Sequence, residues 1–155
     1  PMYNLVKRQA EVEILPMAAS EGIAVLPYSP LGGGLLTGKY SAKAQPGAGR
    51  LVDNAMYTTR YGSQDNFAIA ERFTDLAAEL GVHPVTLAIA WVQSHPAVTA
   101  PLIGARNLEQ LEPALAALEF EMSSELRARI SALSPTPPPA TDRNEESSAH
   151  NYGNR

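Results

Sequence analysis

The sequence predicts an α/β architecture in which parallel strands are covered by helices. Strand-like and helix-like patterns alternate along the chain, which is the order a parallel sheet requires. The strand-like runs at residues 23–26 and 102–103 are almost unbroken apolar, as expected of strands buried on both faces. With 155 residues, 45% of them hydrophobic and 18% charged, the chain has material for about one domain with a real core.

Residues 2–6 form the first strand candidate. A helix is expected over 11–20, where Val12, Leu15 and Ala19 share one face and Gly22 is a plausible stop. The second strand is expected at 23–28. A long amphipathic helix follows at 65–80, with Phe67, Ala70, Phe73, Ala77 and Leu80 at spacings of three and four, closed by Gly81. Pro84 opens another helix through Gln93, because its fixed φ and missing N–H suit a first helical turn. The third strand is expected at 98–104, and helices over 108–119 and 124–133 complete the pattern. Three parallel strands neither close a barrel nor cover both sheet edges, so the chain reads as part of a larger fold.

Residues 1–134 therefore read as the folded unit and residues 135–155 as a tail. The tail begins Pro135-Thr-Pro-Pro-Pro-Ala and turns polar. It carries too little apolar surface to offset the entropy of ordering, and is expected to be extended and largely disordered.

A net charge of −4 argues against general nucleic-acid binding. The lack of cysteine removes disulfides, thiolate zinc sites and thiol catalysis, and fits a reducing compartment. No apolar run approaches the roughly 20 residues of a membrane helix, and the N-terminal residues lack a signal pattern. A cytoplasmic protein is expected.

One window departs from this acidic balance. Between Glu21 and Asp53 there is no acid, while Lys39, Lys43 and Arg50 give the stretch a charge of +3. Within it, the strand at 23–28 runs into Pro30-Leu-Gly-Gly-Gly-Leu-Leu-Thr-Gly-Lys39. Glycines let backbone N–H groups approach an anion closely, and Lys39 adds a mobile positive charge. A glycine-rich surface turn is the plain alternative.

A second loop follows the third strand: Leu102-Ile-Gly-Ala-Arg-Asn-Leu-Glu-Gln-Leu111. Asn107 is a good helix N-cap, and Gln110 is placed to reach back to it in the manner of a capping box. Arg106, the only Lys, Arg, Asp or Glu between Glu79 and Glu109, stands beside the unpaired N–H groups of a helix start, a suitable place for phosphate.

Together, Tyr28-Ser-Pro-Leu-Gly-Gly-Gly-Leu-Leu-Thr-Gly-Lys-Tyr40 and Leu102-Ile-Gly-Ala-Arg-Asn-Leu-Glu-Gln-Leu111 resemble the C-terminal part of the aldo-keto reductases. The opening Tyr3-Asn4-Leu5 with Arg8 and Glu11 is similar to that family's sixth-strand region. The likeness runs from residue 1 to about 134. It implies a (β/α)8 TIM barrel, of which this chain would supply about the last three βα units, and reduction of aldehydes or ketones by hydride from NADPH. By the same resemblance, Tyr28 would stack on the nicotinamide of NADP. Ser29, Pro30, Leu31, Gly32, Gly34 and Lys39 would line the pyrophosphate, and Arg50 would lie in a loop that closes over it. Gly104, Arg106 and Gln110 would hold the adenosine end, with Arg106 at the 2′-phosphate.

Two departures accompany the likeness. The family's Glu-Asn pair beyond Gln110 is replaced here by Pro113 and Ala114, which offer no side-chain hydrogen bond to adenosine. The family's catalytic Asp, Tyr, Lys and His lie upstream of the matched region, so no catalytic residue is assigned here. The isolated chain is expected to be inactive, with the N-terminal barrel half as its partner and a small carbonyl compound as substrate. His83, His95 and His150 have no metal-binding spacing, and Trp91 and Phe73 read as core. A nucleotide-binding or regulatory module without turnover, and a purely structural fragment, are the alternatives.

Overall fold

Apolar residues at helical spacing build a buried helical layer around Phe67, Phe73 and Trp91. The computed structural model describes residues 1–40 and 49–139. Its helices are α1 (Ile14–Ser20), α2 (Arg50–Asp53), α3 (Ala55–Tyr61), α4 (Gln64–Glu79), α5 (Pro84–Gln93), α6 (Leu108–Leu115) and α7 (Ser124–Ser131). Short 3-10 turns occupy Gln9–Glu11, Gly32–Thr37 and Ala116–Leu118. The Pro-rich start of the tail, residues 135–139, has no regular structure. The disorder expected for the tail beyond it, and Lys43, lie outside the described residues.

Helix α4 begins where Ser63 caps the Asn66 N–H, and buries Phe67, Ala70, Phe73 and Ala77 as the spacing predicts. Gly81 follows it at φ +65°, the left-handed turn that ends a helix. Helix α5 carries Pro84 in its first turn and is buried from Val85 to Val92. Helix α1 departs from the expectation. Residues 9–11 form a separate turn, and the buried face is Leu15 and Ala18, leaving Ala19 exposed. The helix expected over 108–119 is also divided. Pro113 removes an interior N–H of α6, and the chain tightens into the 3-10 turn at Ala116–Leu118.

The three expected strands at 2–6, 23–28 and 98–104 are corrected: among the described residues there is no continuous strand, only extended segments joined by isolated bridges. Met2 pairs in parallel with Tyr28, through Tyr28 N–H to Pro1 O at 3.0 Å and Tyr3 N–H to Tyr28 O at 3.3 Å. Thr99 and Leu102 N–H donate to Val25 O and Pro27 O at 2.9 and 2.8 Å. The ladder goes no further for a simple reason. Pro27 and Pro101 have no N–H, and Val25 spends its own on Thr99 Oγ1 at 3.0 Å. In the first segment, Asn4 Oδ1 accepts the Val6 N–H at 3.1 Å, and an antiparallel Asn4–Lys7 bridge turns the chain back.

Burial on both faces is corrected as well. In the second segment Val25 and Pro27 are buried against the helices, whereas Ile23, Leu26 and Tyr28 are exposed. Leu102 and Ile103 are exposed too, at 52% and 41%. In the second segment the side of Val25 and Pro27 is covered by helices and that of Leu26 and Tyr28 is open; at the adjacent residues Leu102 and Ile103 of the third segment both sides are open among the described residues.

A polar clasp ties the first segment to the helical layer. Arg127 of α7 donates to the Trp91 carbonyl, to Ser94 Oγ at 2.7 Å and to Tyr3 OH at 3.0 Å. Tyr3 OH in turn donates to Glu11 at 2.7 Å, and Arg8 pairs with Glu11 at 2.8 Å. The Trp91 ring has the guanidinium of Arg127 at 4.9 Å and that of Arg8 at 5.9 Å, and Trp91 Nε1 donates to Ser131 Oγ at 3.0 Å. Burial pushes the Glu11 carboxyl upward, but the bonds from Arg8 and Tyr3 and the charges of Arg8 and Arg127 prevail and hold it below the usual carboxylate value. Burial, then the bond to Glu11, raises the Tyr3 phenol well above its usual value.

Candidate functional site

Two loops are brought to one end of the molecule by the second and third extended segments. The segments run in the same direction, since Val25 pairs with Thr99 and Pro27 with Leu102. Just beyond these pairs, Tyr28 opens the glycine turn and Gly104 opens the approach to α6. Of the eleven residues singled out as cofactor contacts, nine lie in these two loops, Arg50 opens α2, and Gln110 lies in the first turn of α6.

In the first loop, Tyr28 is held by its two backbone bonds to the first segment, and its side chain remains 45% exposed. Ser29 stands at φ +59°, the only positive φ of a non-glycine residue among those described. Pro30 is buried and Leu31 partly buried, so both anchor the turn. The Gly32 N–H donates to Ser29 O and the Gly34 N–H to Leu31 O, each at 3.0 Å. These two amides are engaged inside the turn, so the backbone approach expected of these glycines is not open at Gly32 and Gly34. Lys39 lies alongside Gly34, where an added Cβ would stand 3.4 Å from its Cε. Its ammonium is 5.0 Å from the Tyr40 ring centre.

The glycines also answer to packing. A Cβ on Gly33 would stand 2.6 Å from Tyr57 Cδ1, and one on Gly32 would stand 3.6 Å from Tyr61 Cε1. Both tyrosines come from α3, which with α2 lies on the turn. Arg50 opens α2 with its guanidinium 5.7 Å from the Tyr57 ring centre, and Arg60 approaches the same ring at 5.9 Å. Burial raises the Tyr61 phenol, against the opposing bond from Asn4 and the charge of Arg60.

The second loop is open. Residues 102–110 are exposed throughout, and nothing lies within 4 Å of a Cβ placed on Gly104. Asn107 caps α6 by accepting the Gln110 N–H at 3.1 Å. The Gln110 side chain reaches back one residue further than a capping box, accepting the Arg106 N–H at 3.2 Å. That bond fixes the backbone beside the exposed Arg106 guanidinium. Pro113 and Ala114 face the helical layer: the Pro113 carbonyl accepts Thr86 Oγ1 at 2.6 Å, and Ala114 is buried with Val85, Ile89 and Ala90.

The histidines are occupied structurally. His83 Nδ1 accepts the Val85 N–H as the cap of α5, and His95 Nδ1 accepts the Ala97 N–H, both at 3.2 Å. Burial, then the Arg127 charge, lowers the His95 pKa against the opposing charge of Glu11. His150 lies outside the described residues. Sequence reasoning missed Asn4, Tyr57 and Tyr61. Asn4 carried a signal, a polar residue inside a run read as a strand, whereas the segment from 50 to 61 has no apolar period to mark its tyrosines.

The model of the aldo/keto reductase family matches residues 1–135 of this chain. "Uncharacterized oxidoreductase YrpG" of Bacillus subtilis is 38% identical over 135 residues, which cover 87% of this chain and 39% of that protein. "Protein tas" of Escherichia coli is 35% identical over 131 residues, covering 84% and 38%. The human "Aflatoxin B1 aldehyde reductase member 2" is 35% identical over 133 residues, covering 76% and 37%. The chain thus spans roughly two fifths of the length of the relatives it matches.

Proposed function

The chain belongs to the aldo/keto reductase family, whose fold is a (β/α)8 barrel, and from that premise we propose that it supplies the last three βα units of such a barrel and most of its NADP contacts. The complete protein would reduce aldehydes or ketones to alcohols. Its oxidoreductase character is part of this reading, as are the cofactor, the substrate class and the division of the barrel; the family and the names of the relatives support it. The exposed Leu26 and Tyr28, on the side of the second segment opposite the buried Val25 and Pro27, support a barrel interior continued by other strands. A helix layer on one side and an apolar face on the other is the arrangement that three units of a barrel would have.

The single observation carrying the cofactor reading is that both loops leave the same end of neighbouring extended segments, just beyond the Pro27–Leu102 bond. An exposed aromatic, Tyr28, and the exposed cations Lys39 and Arg106 lie on these loops, and the exposed Arg50 opens α2 beside the glycine turn. That donor set fits an aromatic ring joined to several phosphates. Tyr28 would receive the nicotinamide face, Lys39 and Arg50 would neutralise the pyrophosphate, and Gly104, Arg106 and Gln110 would take the adenosine end. NADPH supplies the hydride when bound; this chain's residues bind and orient it. The acid that protonates the carbonyl oxygen belongs to other parts of the complete protein, so the 155-residue chain alone is expected to show no NADPH oxidation with an aldehyde.

Arg106 provides the direct test. In the complete protein, Arg106→Ala should weaken NADPH by about 1.5–3 kcal/mol, the range for a hydrogen bond to a charged group, and leave NADH nearly unchanged. Titration calorimetry with both cofactors decides it. Equal losses would remove Arg106 from the 2′-phosphate.

A further inference from the structure

Asn4 is fully buried, and every polar atom of its side chain has a partner. Its Oδ1 accepts the Val6 N–H at 3.1 Å. Its Nδ2 donates to the Ser29 carbonyl at 2.9 Å and to Tyr61 OH at 3.3 Å, and Tyr61 OH donates onward to Met2 Sδ at 3.1 Å. One amide therefore joins the first extended segment, the glycine turn and α3. The carbonyl it holds belongs to Ser29, whose left-handed φ is costly for a residue with a Cβ. Ser29 also precedes Pro30, a setting that favours extended backbone. The same carbonyl accepts the Gly32 N–H that closes the turn.

From this geometry we infer that Asn4 is a positioning residue for the cofactor loop, holding Ser29 in its left-handed state so that Tyr28 and the glycine turn keep the shape that receives the nucleotide. The inference rests on the cofactor reading above. Without the amide, nothing from the first segment holds the Ser29 carbonyl, and the backbone relaxes toward the extended form that a residue before proline prefers. The exposed Tyr28 platform and the Gly32–Gly34 turn then lose their fixed relation. Tyr61 fixes the amide from the other side, so α3 shares in the same anchor.

The test uses the complete protein and four forms: parent, Asn4→Ala, Ser29→Gly, and the double variant. Asn4→Ala should weaken NADPH at least about fivefold, the worth of one hydrogen bond. Glycine adopts a positive φ without cost, so adding Ser29→Gly should bring affinity back to within about twofold of Ser29→Gly alone. The thermal midpoint should stay lowered, because the bonds of Asn4 to Val6 and Tyr61 are still lost. A merely structural Asn4 would give no such recovery, and losses that simply add, or an Asn4→Ala affinity equal to the parent, overturn the proposal. A cofactor-free measurement separates it from the cofactor reading. Amide exchange at Gly32 should be about tenfold faster in Asn4→Ala than in the parent, as expected for losing a bond that holds its acceptor. If the parent binds no nucleotide the cofactor reading fails, and Gly32 exchange then decides the role of Asn4: equal protection in both forms overturns it.

Discussion

The glycine turn at Gly32–Thr37 and the approach to α6 at 104–107 are proposed to hold two ends of one nucleotide, yet they are built in opposite ways. The turn is fixed by tertiary contacts. Tyr57 and Tyr61 pack on its glycines, Asn4 holds Ser29, and the Gly32 and Gly34 amides are bonded within it. The approach to α6 is fixed locally: Asn107 caps Gln110, Gln110 caps Arg106, and the surroundings are solvent. A loop shaped by packing couples any change in its glycines to the fold. A loop shaped by its own caps leaves its cation and its glycine open to change with little effect on the fold. Variants in the second loop therefore report on binding more cleanly than variants in the first.

Gly33→Ala puts the greatest strain on this contrast. An alanine there must take φ +67° and place its Cβ 2.6 Å from the Tyr57 ring. Left-handed strain and overpacking together should cost about 2–4 kcal/mol. Gly22→Ala isolates the first of these costs, because Gly22 has φ +63° and nothing within 4 Å of its Cβ position. It should cost about 1–2 kcal/mol. Denaturant melts of the two variants measure the difference. Equal losses would mean that Tyr57 yields freely, and that the turn is less tightly held by α3 than its packing indicates.

Asn107→Ala follows in size. It removes the acceptor for the Gln110 N–H at the start of an exposed helix, and should lower stability by about 1 kcal/mol. It should also loosen the Arg106 backbone, since Gln110 loses the geometry that lets it accept the Arg106 N–H. Asn107→Asp keeps an acceptor and should restore most of the stability in thermal melts. A variant as unstable as the alanine would show that the cap is not what starts α6.

The same contrast explains what could be read in advance. The helices α4 and α5 and the cap at Asn107 were readable because their signals are local: Phe67, Ala70, Phe73 and Ala77 repeat at helical spacing, and a cap sits beside the helix it starts. The two loops were readable as a pair through their motifs. The expected strands at 23–28 and 98–104 are only bridged segments, because apolar runs at 23–26 and 102–103 look like ladder while Pro27 and Pro101 take away the donors that a ladder needs. Helices α2 and α3 escaped because Leu51 and Tyr61 bury themselves on a turn distant in sequence, with no repeat between them. The left-handed Ser29 runs against its own neighbour, Pro30, and its carbonyl is held by Gly32 and by the distant Asn4, a contact no local pattern signals.

Gly104→Ala carries the smallest expected effect on stability and is the sharpest test of the open loop. Gly104 has no positive φ and no atom within 4 Å of a Cβ position. An alanine therefore fits without strain and narrows the unfolded ensemble, so stability should hold or rise by about 0.4–1 kcal/mol. Its methyl would project into the space assigned to the adenosine end. If the nucleotide passes close to the backbone there, NADPH affinity in the complete protein falls while the thermal midpoint does not, a separation that Gly33→Ala in the glycine turn does not offer. An affinity equal to the parent's would release Gly104 from the cofactor set. The adenosine end would then rest on Arg106 and Gln110 alone.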